Sequence, residues 1–196
     1  MKKLSYLLLL IFSLMGFSLV AQNPIIQMET EMGIMKVEIF INKAPITAQN
    51  FLKYVNESRL DSSNFYRVVR NDNQKNNPTK IQVIQAGLFD DFHPKMLAPI
   101  QHESTKETGL QHLRGSISMA RNEPGTATSE FFICLEDEPE LDFGGARNPD
   151  GAGFAVFGKV IEGMNVVEQI HQSPAEGQYL KPWIRINKIE LLTKAK

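Results

Sequence analysis

The chain has one cysteine, Cys134, so no disulfide can close within it and its fold must rest on packing. Charge of one sign is also lacking. The net charge is −1, which gives no field to draw nucleic acid or an anionic membrane surface, and neither is expected as a partner. The four histidines stand apart, at 93, 102, 112 and 171, without ligand spacing, so no metal is expected. His102-Glu103 has no second histidine four residues on, and no Gly-x-Ser-x-Gly elbow is present. Gly144-Gly145 and Gly151-Ala152-Gly153 neither join a strand to a helix start nor lead into Gly-Lys-Ser/Thr, which argues against a phosphate-cradling loop. No other cofactor is implied. Cys134 lies inside an apolar stretch and reads as an inert buried thiol.

What is present is ordinary globular material. There are 196 residues, 42% hydrophobic and 22% charged, enough for one domain with a substantial core. Residues 1–21 stand apart from the rest. Lys2 and Lys3 precede an unbroken apolar run from Leu7 to Phe12, and the apolar character continues to Val20 before the small Ala21. This is the grammar of a signal peptide, although Leu19 sits where a small residue is preferred. The alternative is an uncleaved membrane anchor, since the stretch to Ala21 approaches spanning length. Cleavage would remove two lysines and move the charge from −1 to −3. Residues 22–196 are read as a single domain, without internal repeat or linker, and a monomer is expected.

Residues 25–30 and 34–40 are apolar-rich, the second with Ile34, Lys36, Glu38 and Phe40 interleaving Met35, Val37 and Ile39, and Glu31-Met32-Gly33 between them suits a tight turn, a β-hairpin pattern. Pro45 opens a helix that ends near Glu57, with Ala44, Ala48, Phe51, Leu52 and Val55 on one face. Residues 65–69, 81–86, 116–120, 130–135, 154–160 and 184–192 read as strands, and 164–171 as a second helix. Residues 71–80 and 143–153 are loops, and 90–112 are read as irregular. Glu136, Asp137, Glu138 and Glu140 are read as a solvated turn. About eight strands and two helices in one domain fit a closed barrel with helices at its ends. Spacing alone stops there and does not reach a function.

Five blocks in order carry more. They are Phe65-Tyr66-Arg67-Val68-Val69, Val83-Ile84-Gln85-Ala86-Gly87, Gly115-Ser116-Ile117-Ser118-Met119-Ala120, Ser129-Glu130-Phe131-Phe132-Ile133, and Val156-Phe157-Gly158-Lys159-Val160 followed by Glu162-Gly163-Met164. Across residues 25 to 192 this series resembles the cyclophilin family of peptidyl-prolyl cis–trans isomerases. Leu141-Asp142-Phe143-Gly144-Gly145 with Asn148-Pro149-Asp150-Gly151 is similar to a loop of bacterial members. The resemblance implies a mainly β fold, a closed eight-stranded antiparallel barrel capped by two α-helices. It also implies an active groove on the outer face, because the barrel interior is packed.

Matched position by position, the resemblance assigns catalysis to Arg67. It puts Phe132 at the floor of an apolar proline pocket, with Leu141 and Val83 as walls. Gln85 would hold the arginine and touch substrate. Ala120 and Arg121 belong to a segment that hydrogen-bonds the substrate backbone, although an asparagine is common where Arg121 stands. Phe154 replaces a frequent histidine at the rim, and Glu130 replaces a frequent glutamine at the groove. Gln82 stands where a pocket phenylalanine often lies. Glu140 replaces a tryptophan of many eukaryotic members, and Trp183 is too distant along the chain to stand in for it. Weak binding of the family's cyclic-peptide inhibitor is therefore expected.

The partners so implied are proline-containing peptides and unfolded polypeptides. With the leader and the bacterial likeness, the expected location is outside the cytoplasm, in the periplasm. A second reading remains, in which the groove serves a catalytically weak peptide-binding chaperone or adaptor. Read without the resemblance, Arg67 would be a solvated strand charge, and Phe131 and Phe132, although strand period turns them to opposite sides, would both be assigned to core.

Overall fold

Strand β1 (Ile25–Thr30) and strand β2 (Gly33–Ile39) form the expected hairpin, with Ile26 opposite Val37 and Met28 opposite Met35, all four in the core. The computed structural model describes residues 22–193. The leader reading for residues 1–21 therefore lies outside the described residues. Helix α1 (Pro45–Asn56) follows, then β3 (Asn64–Val69), β4 (Val83–Gly87), helix α2 (Thr105–Thr108), β5 (Ser116–Met119), β6 (Phe131–Cys134), β7 (Ala155–Glu162), helix α3 (Met164–Gln172), β8 (Ala175–Glu176) and β9 (Tyr179–Thr193). Every strand pair is antiparallel. The order β1-β2-β7-β5-β6-β4-β3-β9 returns on itself, because β9 also pairs with β1. Eight strands thus close a barrel and leave no open edge among them, while β8 hangs on β9 as a short flap.

Alternation divides the strand side chains into two sets. Phe65, Val68, Ile84, Ala86, Ile117, Met119, Phe131 and Ile133 belong to the main core, where Phe51 of α1 packs edge-on to Phe131 at 5.3 Å and tilted to Phe157 at 4.9 Å. α1 packs on β7 and β9, and α3 packs on β2, β3 and β4. The residues pointing outward on the neighbouring strands form a second apolar cluster of Val69, Ile81, Val83, Phe132, Cys134 and Leu141, with Ala120 and Phe154 packed against it. The barrel therefore has a filled interior and a smaller apolar patch outside, and this patch underlies the groove.

Helix α1 starts at Ala44, which offers no side-chain cap. Its first amides are satisfied from elsewhere. The Glu103 carboxylate accepts from Ile46 N at 3.1 Å, Thr47 N at 2.6 Å and Thr47 Oγ1 at 2.7 Å. A buried negative charge at a helix N-terminus is favourable, and it anchors the long 90–112 connection. That connection is less irregular than its composition indicates. It contains α2, closed by a capping box in which Ser104 Oγ accepts from Glu107 N and Glu107 Oε2 accepts from Ser104 N at 2.8 Å.

Several strand ends also differ from the sequence expectation. β4 begins at Val83 rather than 81, and β9 begins at Tyr179 rather than 184, which adds the β8–β9 hairpin. The expected solvated turn at 136–140 is corrected at Glu138, which is buried and accepts from Gln82 N at 2.7 Å. Backbone amides with no strand partner draw this carboxylate inward.

Candidate active site

Strand β3 does not follow a strict period of two. Phe65 pairs with Ala86 and Arg67 with Gln85, so two steps along β3 match one along β4; the pairing with β9 also breaks there, Phe65 facing Ile184 and Arg67 facing Tyr179. Phe65 and Val68 both reach the core, three positions apart. The bulge leaves two consecutive side chains, Tyr66 and Arg67, over the outer face.

These two residues open a directed chain of hydrogen bonds. Glu130, on the edge of β6, is a carboxylate and can only accept. It takes a very short bond from Tyr66 Oη, and bonds of 3.0 Å each from Phe89 N and Ser129 Oγ. Tyr66 therefore has its proton committed, and its oxygen accepts from Gln85 Nε2 at 2.6 Å. That fixes the Gln85 amide so that Oε1 faces Arg67 and accepts from Nη1 at 2.8 Å. On its other side the guanidinium donates Nε and Nη2 to Gln178 Oε1 at 2.9 and 2.6 Å. Burial pulls the Arg67 pKa down from its usual value, with Tyr66 and Tyr179 opposing. Arginine has charge to spare and remains a cation. Burial, and then the Glu130 charge, push the Tyr66 phenol up, so it stays a donor.

Beside the guanidinium lies the outer apolar patch. Phe132 is buried at its floor, with Val83, Ile81, Leu141 and Phe154 around it. Phe154 stands perpendicular to Phe132 at 5.4 Å, and the Arg121 guanidinium lies over Phe154 at 5.2 Å. His112 stacks beneath Phe132 at 5.8 Å. Its ring bonds Asp142 Oδ1 at 2.7 Å and Ser118 Oγ at 3.0 Å. Burial holds the His112 pKa below its usual value against the pull of Asp142, so the support is a neutral ring. Arg121 is committed to structure: it grips Asp150 with two bonds of 2.7 and 3.0 Å and the Gly153 carbonyl at 2.9 Å from Nε. The bonds from Arg121, followed by one from Ala152 N, hold Asp150 down at about 2. Gly153 has φ +66°, and a Cβ there would lie 2.6 Å from the Asp142 carbonyl carbon, so only glycine lets this loop close on Leu141.

The result is an open groove of about 530 Å³ lined by every site residue expected from sequence: Arg67, Gln85, Phe132, Leu141, Val83, Ala120, Arg121, Phe154 and Glu130. Two details change. Gln82 does not line the groove. Its N–H goes to Glu138 and its carbonyl accepts from Leu135 N, and Ile81 supplies the apolar wall instead. The Ala120 N–H donates to the Glu130 carbonyl at 2.8 Å and is occupied within the protein. The structure also adds Tyr66, Gln178, Phe89, Tyr179 and Arg147 to the lining. Tyr66 was adjacent to Arg67 in sequence, but strand alternation would have sent it to the opposite face. Gln178 follows Glu176-Gly177, a legible turn signal, yet nothing local says which strand that turn will reach. Among the described residues, no group of three or more His, Cys, Asp or Glu is placed to hold a metal ion.

With this geometry in view, comparisons with known proteins are specific. The sequence profile described as "Cyclophilin type peptidyl-prolyl cis-trans isomerase/CLD" matches residues 25–191. A peptidyl-prolyl cis-trans isomerase of Acinetobacter baylyi is 39% identical over 155 residues, covering 78% of this chain and 74% of that protein. Peptidyl-prolyl cis-trans isomerase B of Escherichia coli is 34% identical over 144 residues, covering 72% and 80%. In fold, the chain is similar to a cyclophilin-type isomerase of Cryptosporidium parvum, with TM-score 0.69 and 20% identity over 88% of this chain and 99% of that one. A closed barrel, an outer groove and a family match over nearly the whole described chain lead to one assignment: this protein belongs to the cyclophilin-type peptidyl-prolyl cis–trans isomerases.

Proposed function

We propose that Arg67 is the catalytic group, stabilising the twisted X–Pro amide while the proline ring sits on Phe132. The observation that carries this reading is the fixed Arg67 guanidinium, held by Gln85 and Gln178 beside the Phe132 floor. Rotation about a peptide C–N bond is opposed by about 18–20 kcal/mol of amide resonance, and unaided X–Pro isomerisation takes tens to hundreds of seconds. No bond breaks, so no nucleophile is needed. At the top of the barrier the prolyl nitrogen is pyramidal and carries a lone pair that the planar amide lacks. A pre-positioned cationic donor favours that state over the planar one. One charged hydrogen bond contributes about 1.5–3 kcal/mol, or roughly 10- to 150-fold in rate. The apolar floor and anchoring of the flanking chain must supply the rest.

The substrates we assign are proline-containing segments of unfolded polypeptides that have left the cytoplasm. Support for the location comes from Lys2, Lys3, the apolar run after them and Ala21. Support for the ligand comes from the apolar pocket and from the Cryptosporidium cyclophilin, solved also in the presence of the dipeptide Ala-Pro. The test is isomerisation of a short Ala-Pro peptide, followed by exchange NMR, with wild type and Arg67→Ala. At least a tenfold loss in kcat/KM is expected. Equal rates would remove Arg67 from catalysis, and retained binding with no turnover in wild type would make the groove a peptide-binding module.

A further inference from the structure

The groove does not end at Arg67. Phe89 and Tyr179 line it and also line a second, shallower concavity of about 350 Å³ shared with Trp183, Lys181 and Glu176. Three aromatic rings here are left open to solvent: Phe89 is 48% exposed, Tyr179 50% and Trp183 38%. Two of them, Phe89 and Trp183, are also packed together with Tyr66. Phe89 lies 4.7 Å from Trp183 and 4.8 Å from Tyr66, and Tyr66 lies 6.1 Å from Trp183.

Phe89 is held in place at a cost. Its φ is +66°, a left-handed conformation that a bulky residue rarely adopts. Such a conformation costs about 1–3 kcal/mol and persists only when the surroundings impose it. Here the Phe89 N–H is fixed by Glu130 Oε1, the same carboxylate that ends the Arg67 chain. A strained residue pinned by the site's own network, with half its ring in water, is not explained by core packing.

We infer that Phe89, Tyr179 and Trp183 form an aromatic subsite for a large apolar side chain of the same polypeptide whose proline occupies the Phe132 pocket. The inference rests on the reading that the groove binds proline-containing chains. Its occupant follows from continuity, because two of the subsite's rings are already groove walls. Distance agrees. Arg67 stands directly opposite Tyr179 in the β3–β9 pairing, neighbouring strands lie about 4.7–4.9 Å apart, and Tyr179 lines both concavities. An extended chain advances about 3.3–3.6 Å per residue, so the subsite lies within about four residues of the proline. The rim contributes little charge preference, since Lys181 and Glu176 face each other at 3.7 Å in solvent. The enzyme would thereby prefer prolines near aromatic or large aliphatic residues, which a folded protein hides and an unfolded one exposes.

The chain's single tryptophan is Trp183, which makes the subsite its own reporter. Alanine-based decapeptides with one proline, and with Phe or Gly placed two to four residues before or after it, are titrated into Arg67→Ala protein, so that binding is read without turnover. At least one Phe placement should bind about five- to tenfold tighter than its Gly control and shift Trp183 emission. In the wild-type background the same peptide should show a matching gain in kcat/KM, and Trp183→Ala should abolish that gain while leaving the short Ala-Pro peptide unaffected. If the short peptide is isomerised but no Phe placement changes either affinity or emission, the subsite is refuted and the isomerase reading stands. Failure of wild type to isomerise the short peptide would instead refute that reading. A shift in Trp183 emission with protein concentration alone, with dimers in sedimentation, would make the patch an interface between copies and overturn the inference.

Discussion

Gln178 Oε1 accepts from both Nε and Nη2 of Arg67, at 2.9 and 2.6 Å, although 111 residues separate them. The β8–β9 turn that carries Gln178 is itself tied down. Gln178 Nε2 donates to the Asn73 carbonyl at 3.2 Å, and Asn73 Nδ2 donates to the carbonyls of Val68 and Gly177 at 3.0 Å. The loop 71–80 is therefore part of the support of the arginine, which its Asn-rich composition conceals.

Gln178→Ala removes one of the two acceptors that orient the guanidinium. Loss of about 1 kcal/mol of orientation should lower kcat about three- to tenfold and leave KM little changed. Gln178→Glu keeps acceptors for the guanidinium but loses the donor to the Asn73 carbonyl, so it should recover only part of the loss. A rise in KM alone, with kcat intact, would make Gln178 a substrate contact instead.

Tyr66→Phe cuts the chain between Gln85 and Glu130. Gln85 Nε2 then loses its acceptor and its amide is free to turn, presenting a donor to Arg67. Kcat should fall about threefold or more, and stability by about 1–2 kcal/mol from the unpaired groups. Glu130→Gln tests the polarity directly. A carboxamide places an NH2 group against Tyr66 or against the Phe89 N–H, where the carboxylate only accepts. Activity should drop in that variant even though glutamine is the commoner residue in the family. An unchanged rate would show that the direction of the chain is immaterial.

Much of this site was legible because strand period and motif order agree. Phe131 and Phe132 alternate as the sequence requires, one in the barrel and one on its outer face. Arg67 and Gln85 are opposed by register in one antiparallel pair. What sequence hid was non-local or irregular. The bulge at Tyr66 breaks the period on which strand reading depends. Gln178, Glu103 and His112 act on partners in other elements, and only closure of the chain brings them there. Glu138 looked solvated because its neighbours are acidic. Its burial follows from the end of strand pairing just before Val83, which leaves the Gln82 amide in need of an acceptor.

The family's cyclic-peptide inhibitor should bind weakly, with inhibition above the micromolar range in a coupled isomerase assay. Glu140, standing where the resemblance puts a tryptophan of many eukaryotic members, does not line the groove; its carboxylate accepts from Ala146 N at 2.8 Å. Trp183 flanks the groove beyond Tyr66, on Phe89, and does not reach the Leu141 side. An indole N–H and ring face are thus missing from the place the resemblance assigns them. Submicromolar inhibition would show that the remaining contacts suffice.

Glu138 should make stability depend on pH in the neutral range. Burial, opposed by the Gln82 amide, raises its pKa from 4.5 to about 7. A carboxyl with a raised folded-state value favours the fold only while protonated. That contribution is complete below 4.5 and is lost as pH rises through about 7. Glu138→Gln keeps an oxygen for the Gln82 N–H and cannot ionise. The variant should match wild type near pH 5 and exceed it at pH 8 by about 1–2 kcal/mol, allowing for partial solvent screening. For a domain of this size that is about 2–8 °C in Tm. The Leu141 N–H bonds the Glu138 backbone carbonyl at 3.0 Å, so a shift of Glu138 on ionisation should be felt at the Leu141 wall of the groove. Wild-type KM should therefore rise between pH 6 and 8, while that of Glu138→Gln stays flat. Parallel melting curves and KM values for the two proteins across that interval would show that Glu138 does not titrate there.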